Sequence, residues 1–210
     1  GYRDESVVFP GDFGNQRITG QLNLNHYSSD QKFHANITTS YTHENNDLLA
    51  SDPTLEALTL PPNAPSLYND NGELNWADNT WDNPMADFYQ TYTSKIETFN
   101  ANAHLSYEFI KGLKGILNAG YNTMNIYEVQ TTPQSSYNPN TLGNRRASTV
   151  NTGGRSIWIL EPQLAYEKSW GEHRLQAMVG GTFQKSVDRT LVVRGTGYTS
   201  DLMLENLQGA

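Results

Sequence analysis

Phe99–Tyr121 reads FNANAHLSYEFIKGLKGILNAGY, two alternating runs joined at Lys111 and Gly112. Phe99, Ala101, Ala103, Leu105, Tyr107 and Phe109, then Leu113, Leu117, Ala119 and Tyr121, fall on one register. Asn100, Asn102, His104, Ser106, Glu108, Lys114, Asn118 and Asn122 fall on the other. Successive strand residues point to opposite faces, so a strict period of two predicts a hairpin with one dry face and one wet face.

Two further hairpins repeat the pattern. Ile18 to His26 and Phe33 to Tyr41 turn at Ser28, Ser29, Asp30 and Gln31. Ile18, Gly20, Leu22, Leu24, Phe33, Ala35, Ile37 and Tyr41 oppose Thr19, Gln21, Asn23, Asn25, His34, Asn36, Thr38 and Ser40. Trp158 to Tyr166 and Leu175 to Phe183 turn at Trp170, Gly171 and Glu172. Short turns at one end and long polar loops at the other predict an up-and-down antiparallel transmembrane β-barrel wall. About six strands in three hairpins are expected. The long loops are expected over 44–98 and 128–156, with a further one beginning over 187–210.

A soluble sandwich also alternates, with one face packed inward and the other in water. Three features favour the membrane. No charged residue interrupts the dry register of the first two hairpins between Ile18 and Leu24, Phe33 and Tyr41, Phe99 and Phe109, or Leu113 and Tyr121. The runs match the roughly 9 to 11 residues that cross a bilayer at a tilt, beyond the five or six usual in globular sheets. Aromatics also gather at both ends, with Phe33, Tyr107, Phe109, Tyr166 and Trp170 near the short turns. Tyr41, Phe99, Tyr121, Trp158 and Phe183 lie near the long loops. Two such bands suit the interfacial girdles of an outer-membrane barrel.

The composition, with 36% hydrophobic residues and a mean hydropathy of -0.64, fits a wall that needs apolar side chains only at alternate positions. No run approaches the roughly 18 apolar residues of a spanning helix. The chain has no cysteine, which bears only weakly on compartment. It begins at Gly1 without a signal peptide, as a piece of a longer protein or a processed chain would. Single-chain barrels begin at about eight strands and open edges cannot be satisfied in lipid, so six strands are not expected to close alone.

The net charge of -8 sits in one loop, because Glu44 to Ser94 holds nine acidic residues and no lysine or arginine. An acidic chain argues against a nucleic-acid partner. Within that loop, Ser51 or Asp52 before Pro53 predicts a helix of one or two turns, with Leu55 and Leu58 on one face and Pro61 and Pro62 as the stop. Tyr68, Trp76, Trp81, Tyr89 and Tyr92 recur among amides and carboxylates, a mixture that suits sugar rings. The competing reading makes these aromatics the loop's own small core. Arg145 and Arg146 mark the second loop, as solvated charges or as ligand contacts.

Other constellations are weaker. Asp70-Asn71-Gly72-Glu73 lacks the spacing of a calcium loop and reads as a turn. His34 and His104 share the wet face without a third ligand at metal spacing. Glu161 and Glu167 lie on one strand, with no reason to flank a bound sugar. No catalytic grouping, cofactor site or metal site is expected, and therefore no enzyme. Pro162 cannot donate to a ladder and marks an edge or a bulge, leaving the register of the fifth strand open.

The first loop carries a family resemblance. Leu60-Pro61-Pro62-Asn63-Ala64-Pro65, Tyr68-Asn69-Asp70-Asn71-Gly72-Glu73-Leu74-Asn75-Trp76 and Asn83-Pro84-Met85-Ala86 resemble a long surface loop of the SusC/RagA-like TonB-dependent outer-membrane transporters. Arg17 to Asn25, Asn100 to Tyr121 and Tyr166 to Leu175 with Gly180-Gly181 resemble the flanking strands and periplasmic turns, and Tyr198 to Ala210 the start of another surface loop. The resemblance implies an internal piece of a barrel of about 22 strands, in a multi-pass protein of the bacterial outer membrane. It also implies active import of oligosaccharides or peptides, driven by TonB and capped by a SusD-like lipoprotein. The plug and TonB box lie outside this chain. The alternatives are a soluble glycan-binding β-sandwich and a passive porin.

Overall fold

A computed structural model describes residues 1–210. It contains a single antiparallel sheet of eight strands in the order β1-β2-β3-β4-β5-β6-β7, with β8 also paired to β6. The strands are β1 (Tyr2–Ser6), β2 (Gly14–Tyr27), β3 (Phe33–Leu49), β4 (Thr91–Ile110), β5 (Leu113–Thr132), β6 (Ala147–Trp170), β7 (His173–Gly180) and β8 (Phe183–Thr196). Each long strand pairs with the one before it, giving the expected up-and-down wall. The sheet does not close on itself, and no second sheet covers either face. The sandwich alternative needs such a second layer and fails on this point.

The count of six holds for the long strands once β7 and β8 are read together. Gln163 pairs with Gly180 and Leu160 with Phe183, so both segments lie on β6 in one unbroken register. The gap at Gly181 and Thr182 falls opposite Pro162, whose carbonyl accepts from the Gly181 N–H at 3.1 Å but which has no N–H to return. The ladder loses one bond there without slipping, and the pairing of β6 with β5 also continues through Leu117 and Pro162 unshifted. Pro162 thus marks a missing hydrogen bond and not a bulge. The short β1 was not expected, because the exposed Tyr-Arg-Asp-Glu-Ser has no apolar alternation and is defined only by its pairing with β2.

The register joins the six dry faces into one. Leu24 lies opposite Ile37, Ile37 opposite Ala103, Ala103 opposite Ala119, Ala119 opposite Leu160 and Leu160 opposite Phe183. The neighbouring row runs Asn25, Asn36, His104, Asn118 and Glu161. Leu22, Leu24, Leu160, Leu164, Val179 and Phe183 of the dry rows are exposed. A contiguous apolar surface of this extent on a single-layer sheet requires lipid outside it.

The wet face is satisfied laterally. His34 Nε2 lies 2.8 Å from Asn25 Oδ1, His104 Nδ1 lies 2.7 Å from Asn118 Oδ1, and Asn122 donates to Asn100. The two imidazoles are neighbours, with ring centroids 5.9 Å apart. Glu161 and Glu167 do not form a facing pair: Thr182 Oγ1 lies 3.5 Å from Glu161, while Glu167 binds Arg174 and accepts from Gln176.

The strands continue past the aromatic band, so the connections are shorter than alternation implies: 50–90, 133–146 and 197–210 in place of 44–98, 128–156 and 187–210. Beyond Tyr41, Phe99 and Tyr121 the outward register becomes His43, Glu97 and Asn125. Apolar alternation ends with the hydrocarbon layer, while the backbone ladder continues into water.

Candidate functional site

The connections at the long-loop end form a folded cap instead of loose tethers. Residues 50–90 start with α1 (Thr54–Thr59), where expected. The Asp52 carboxylate accepts from the Thr54 N–H at 2.9 Å and does the capping that Pro53 cannot. Leu55 and Leu58 are 68% and 80% exposed, so the apolar side of α1 faces outward. Asp70 to Glu73 forms a turn. Asn69 Oδ1 accepts from the N–H groups of Asn71 and Glu73 at 3.1 and 2.9 Å, and Tyr68 bridges back to Leu74.

Asn83 organises this connection. Only 3% exposed, its side-chain amide donates to the Leu67 and Asn75 carbonyls at 2.6 and 2.9 Å, and its Oδ1 caps the following 3-10 turn by accepting from Met85 N–H at 2.9 Å. The local sequence explains the cap, since Asn at the N-cap followed by Pro84 at the first turn is a helix start. Three segments therefore hang on one side chain. Asn83→Leu is expected to destabilise the loop by about 2 kcal/mol, because the Met85 N–H loses its acceptor and the Leu67 and Asn75 carbonyls each lose one of two donors. Limited proteolysis should show faster cleavage between residues 50 and 90, with the sheet intact.

The second and third connections lock together through Asp201. Its carboxylate accepts from the Gln134 and Ser135 N–H groups at 2.9 and 3.3 Å and from Arg146 Nε at 2.7 Å. Tyr198 is fully buried, its hydroxyl 2.7 Å from Ser148 Oγ, and its carbonyl accepts from Asn144 at 2.7 Å. Gly195 is required beneath that ring, because a Cβ there would lie 2.2 Å from the Tyr198 hydroxyl.

Burial alone would push the Asp201 carboxyl up. The Gln134 N–H, Arg146 and the Ser135 N–H outweigh it and hold the group below the usual carboxylate range. A group whose pKa is lowered on folding stabilises above its unfolded value, about 3.9 for Asp, and loses that contribution as pH falls through the lower folded value. Protection of the Gln134 and Ser135 amides, corrected for intrinsic exchange, should therefore hold at pH 7 and decline below about pH 4. Unchanged protection at pH 2 would contradict the role given to Asp201.

Between the first and second connections lies a cleft of about 580 Å³. Trp76 and Tyr137 supply its aromatic surface, Glu56, Asp82 and Asp87 its carboxylates, and Arg145 its cation. The Arg145 guanidinium sits 5.3 Å from the centre of the Tyr137 ring, and Asn138 ties the two connections together by donating to Asn79. Aromatic faces beside amides, carboxylates and a cation can stack a ring and hydrogen-bond its hydroxyls, or clasp a short peptide.

The structure separates the expected contact residues. Trp76 and Arg145 meet at the cleft, and Tyr68 and Tyr89 are exposed on the cap surface. Trp81 is tied into the loop, its indole N–H donating to the Asn75 carbonyl at 3.0 Å. Tyr92 belongs to β4, where its hydroxyl donates to Glu128. Arg146 is committed to Asp201. Asn83, Tyr137, Tyr198 and Asp201 are not among the expected contact residues. Only Asn83 carried a sequence signal, the Asn-Pro helix start.

No protein-family model matches the chain. TonB-dependent receptor P3 of Formosa agariphila is 28% identical over 151 residues, covering 68% of this chain and 14% of that protein. Two structures of the RagAB peptide importer, in the open-open and closed-closed states, superpose with a TM-score of 0.69 at 18% identity. Each match covers 92% of this chain and 23% of the RagAB chain. The chain thus spans 14% to 23% of the length of these relatives, and at that identity RagAB shares its fold. The open antiparallel wall thus has the fold of a stretch of the RagAB barrel, and its sequence is similar to part of a TonB-dependent receptor.

Proposed function

We propose that this wall belongs to an active outer-membrane importer of large nutrients, oligosaccharides or peptides. Energy would enter through TonB and a plug outside this chain, and a SusD-like surface lipoprotein would cover the long-loop end. The role involves no bond-making chemistry. The observation that carries this reading is the juxtaposition of a lipid-facing wall with a structured cap that contains an aromatic, charged cleft. RagAB, which shares the fold, is a peptide importer, and the relative in Formosa agariphila is a TonB-dependent receptor. Trp76, Tyr68, Tyr89 and Arg145 are the proposed substrate or lid contacts, and the outward Leu55 and Leu58 offer the lipoprotein an apolar edge.

The nine carboxylates between Glu44 and Ser94 favour neutral or cationic cargo over acidic cargo, which they would repel. The test is uptake by cells carrying the intact gene, with and without functional TonB. The substrates would be labelled neutral oligosaccharides, uronic-acid oligosaccharides and short peptides. TonB-dependent uptake of neutral glycans or peptides is expected. Uptake that ignores TonB would mean a passive porin, and a preference for uronic acids would reverse the charge argument.

A further inference from the structure

On β8 the outward register reads Phe183, Lys185, Val187, Arg189, Leu191 and Val193. Phe183 closes the apolar series Leu175, Ala177, Val179 that starts at the short turn. Eleven residues from His173 to Phe183 are about one bilayer crossing at barrel tilt. Lys185 is thus the first charge on this face of the strand after that apolar series, and it lies within the outer aromatic band, directly opposite Trp158, which pairs in turn with Tyr121. Arg189 follows four residues later, about 13 Å further along the strand, opposite Gly154. That glycine leaves the surface beside the guanidinium open.

Both basic side chains are exposed, and within this chain neither has an acidic partner. The contrast with the other face is direct: Asp188, between them in sequence, points inward and pairs with Arg155 at 3.3 Å. Glu97, the acid on the outward face in the row of Arg189, lies three strands away. It is engaged by the Tyr41 hydroxyl at 3.2 Å and His43 Nδ1 at 3.6 Å. Two exposed cations on the lipid-facing side of the wall, beside an interfacial tryptophan, are complementary to anionic headgroups.

We propose that Lys185 and Arg189, flanked by Trp158, form a docking site for the phosphate groups of an outer-leaflet lipid. The aliphatic stems lie along the wall while the charged ends reach the headgroup layer, and the acyl chains run down past Phe183, Val179 and Leu164. The site fixes the level of the wall in the membrane and is separate from the nutrient cleft above it.

The test uses the intact outer-membrane protein in phosphatidylcholine nanodiscs titrated with bisphosphorylated lipid A, with retained lipid counted by native mass spectrometry. Lys185→Gln combined with Arg189→Gln is expected to weaken lipid A binding about 30-fold, about fivefold per charge removed. Two companion variants separate this from misfolding and from net charge. Lys185→Arg with Arg189→Lys should bind as the parent does. Arg194→Gln, which removes a positive charge from the inward face of the same strand, should leave binding unchanged. Undiminished binding by the double Gln variant overturns the proposal, and so does an equal loss in Arg194→Gln.

Discussion

Leu105→Arg in the intact barrel is expected to cost about 2–4 kcal/mol and to prevent assembly, because it places a guanidinium in the hydrocarbon layer. Leu105 lies between Ala35 and Leu117 in the middle of the dry face, with no acid in reach. The same substitution at Asn102, three residues away on the inward face, should be tolerated, since Thr38 and Gly120 flank it and it faces the wet interior. Heat-modifiable migration on gels and surface protease resistance would report assembly. Normal insertion of Leu105→Arg alongside failure of Asn102→Arg would reverse the two faces of the wall.

Gly112→Val is expected to have the next largest effect. Lys111 and Gly112 make a two-residue turn between β4 and β5, with Gly112 at a φ of 85°, and its carbonyl accepts from Glu167 N–H of β6 at 2.8 Å. A Cβ at this position would lie 2.1 Å from the Glu167 backbone carbonyl oxygen. The conformation alone costs a side-chain-bearing residue about 1–3 kcal/mol, and a β-branched residue sits at the upper end. Relief of the clash would also break the link between the turn and the third hairpin. Gly72→Val, at a φ of 79° with open space around it, shares the backbone cost without the clash. Gly112→Val should therefore unfold at markedly lower temperature than Gly72→Val, and equal melting of the two would remove the steric part of the argument.

The wall was legible in the sequence because a lipid-facing strand announces itself at every second residue. Phe99 to Phe109 and Leu113 to Tyr121 show the face, the turn and the two bands without any tertiary information. Alternation cannot see what lies above the membrane, where β3 to β6 run on with His43, Glu97 and Asn125 outward, so the loops looked longer than they are. It is also blind to β1, whose five residues become a strand only through pairing with β2. Pro162 showed that a hydrogen bond must be missing, but not whether the register slipped; the constant pairing on both sides supplies that answer.

The candidate site was legible only in part. Composition places Trp76 and Arg145 among candidate contacts, yet it treats Arg145 and Arg146 alike, although one lies over Tyr137 at the cleft and the other is held by Asp201 from 55 residues away. Contacts between connections separated by whole hairpins have no local signature. That is why the locking role of Tyr198 and Asp201 has no signal in the sequence, while that of Asn83, a helix cap with a proline behind it, does.

The central claim is that the apolar register faces lipid and the amide register faces the interior. The chain has no cysteine, so single cysteines placed at 100–107 in the intact protein, spin-labelled in bilayers, report each position without background, provided the rest of that protein is also cysteine-free. Accessibility to oxygen should peak at 101, 103, 105 and 107. Accessibility to a water-soluble nickel chelate should peak at 100, 102, 104 and 106. A signal without period two, or with its phase inverted, would contradict the barrel-wall account.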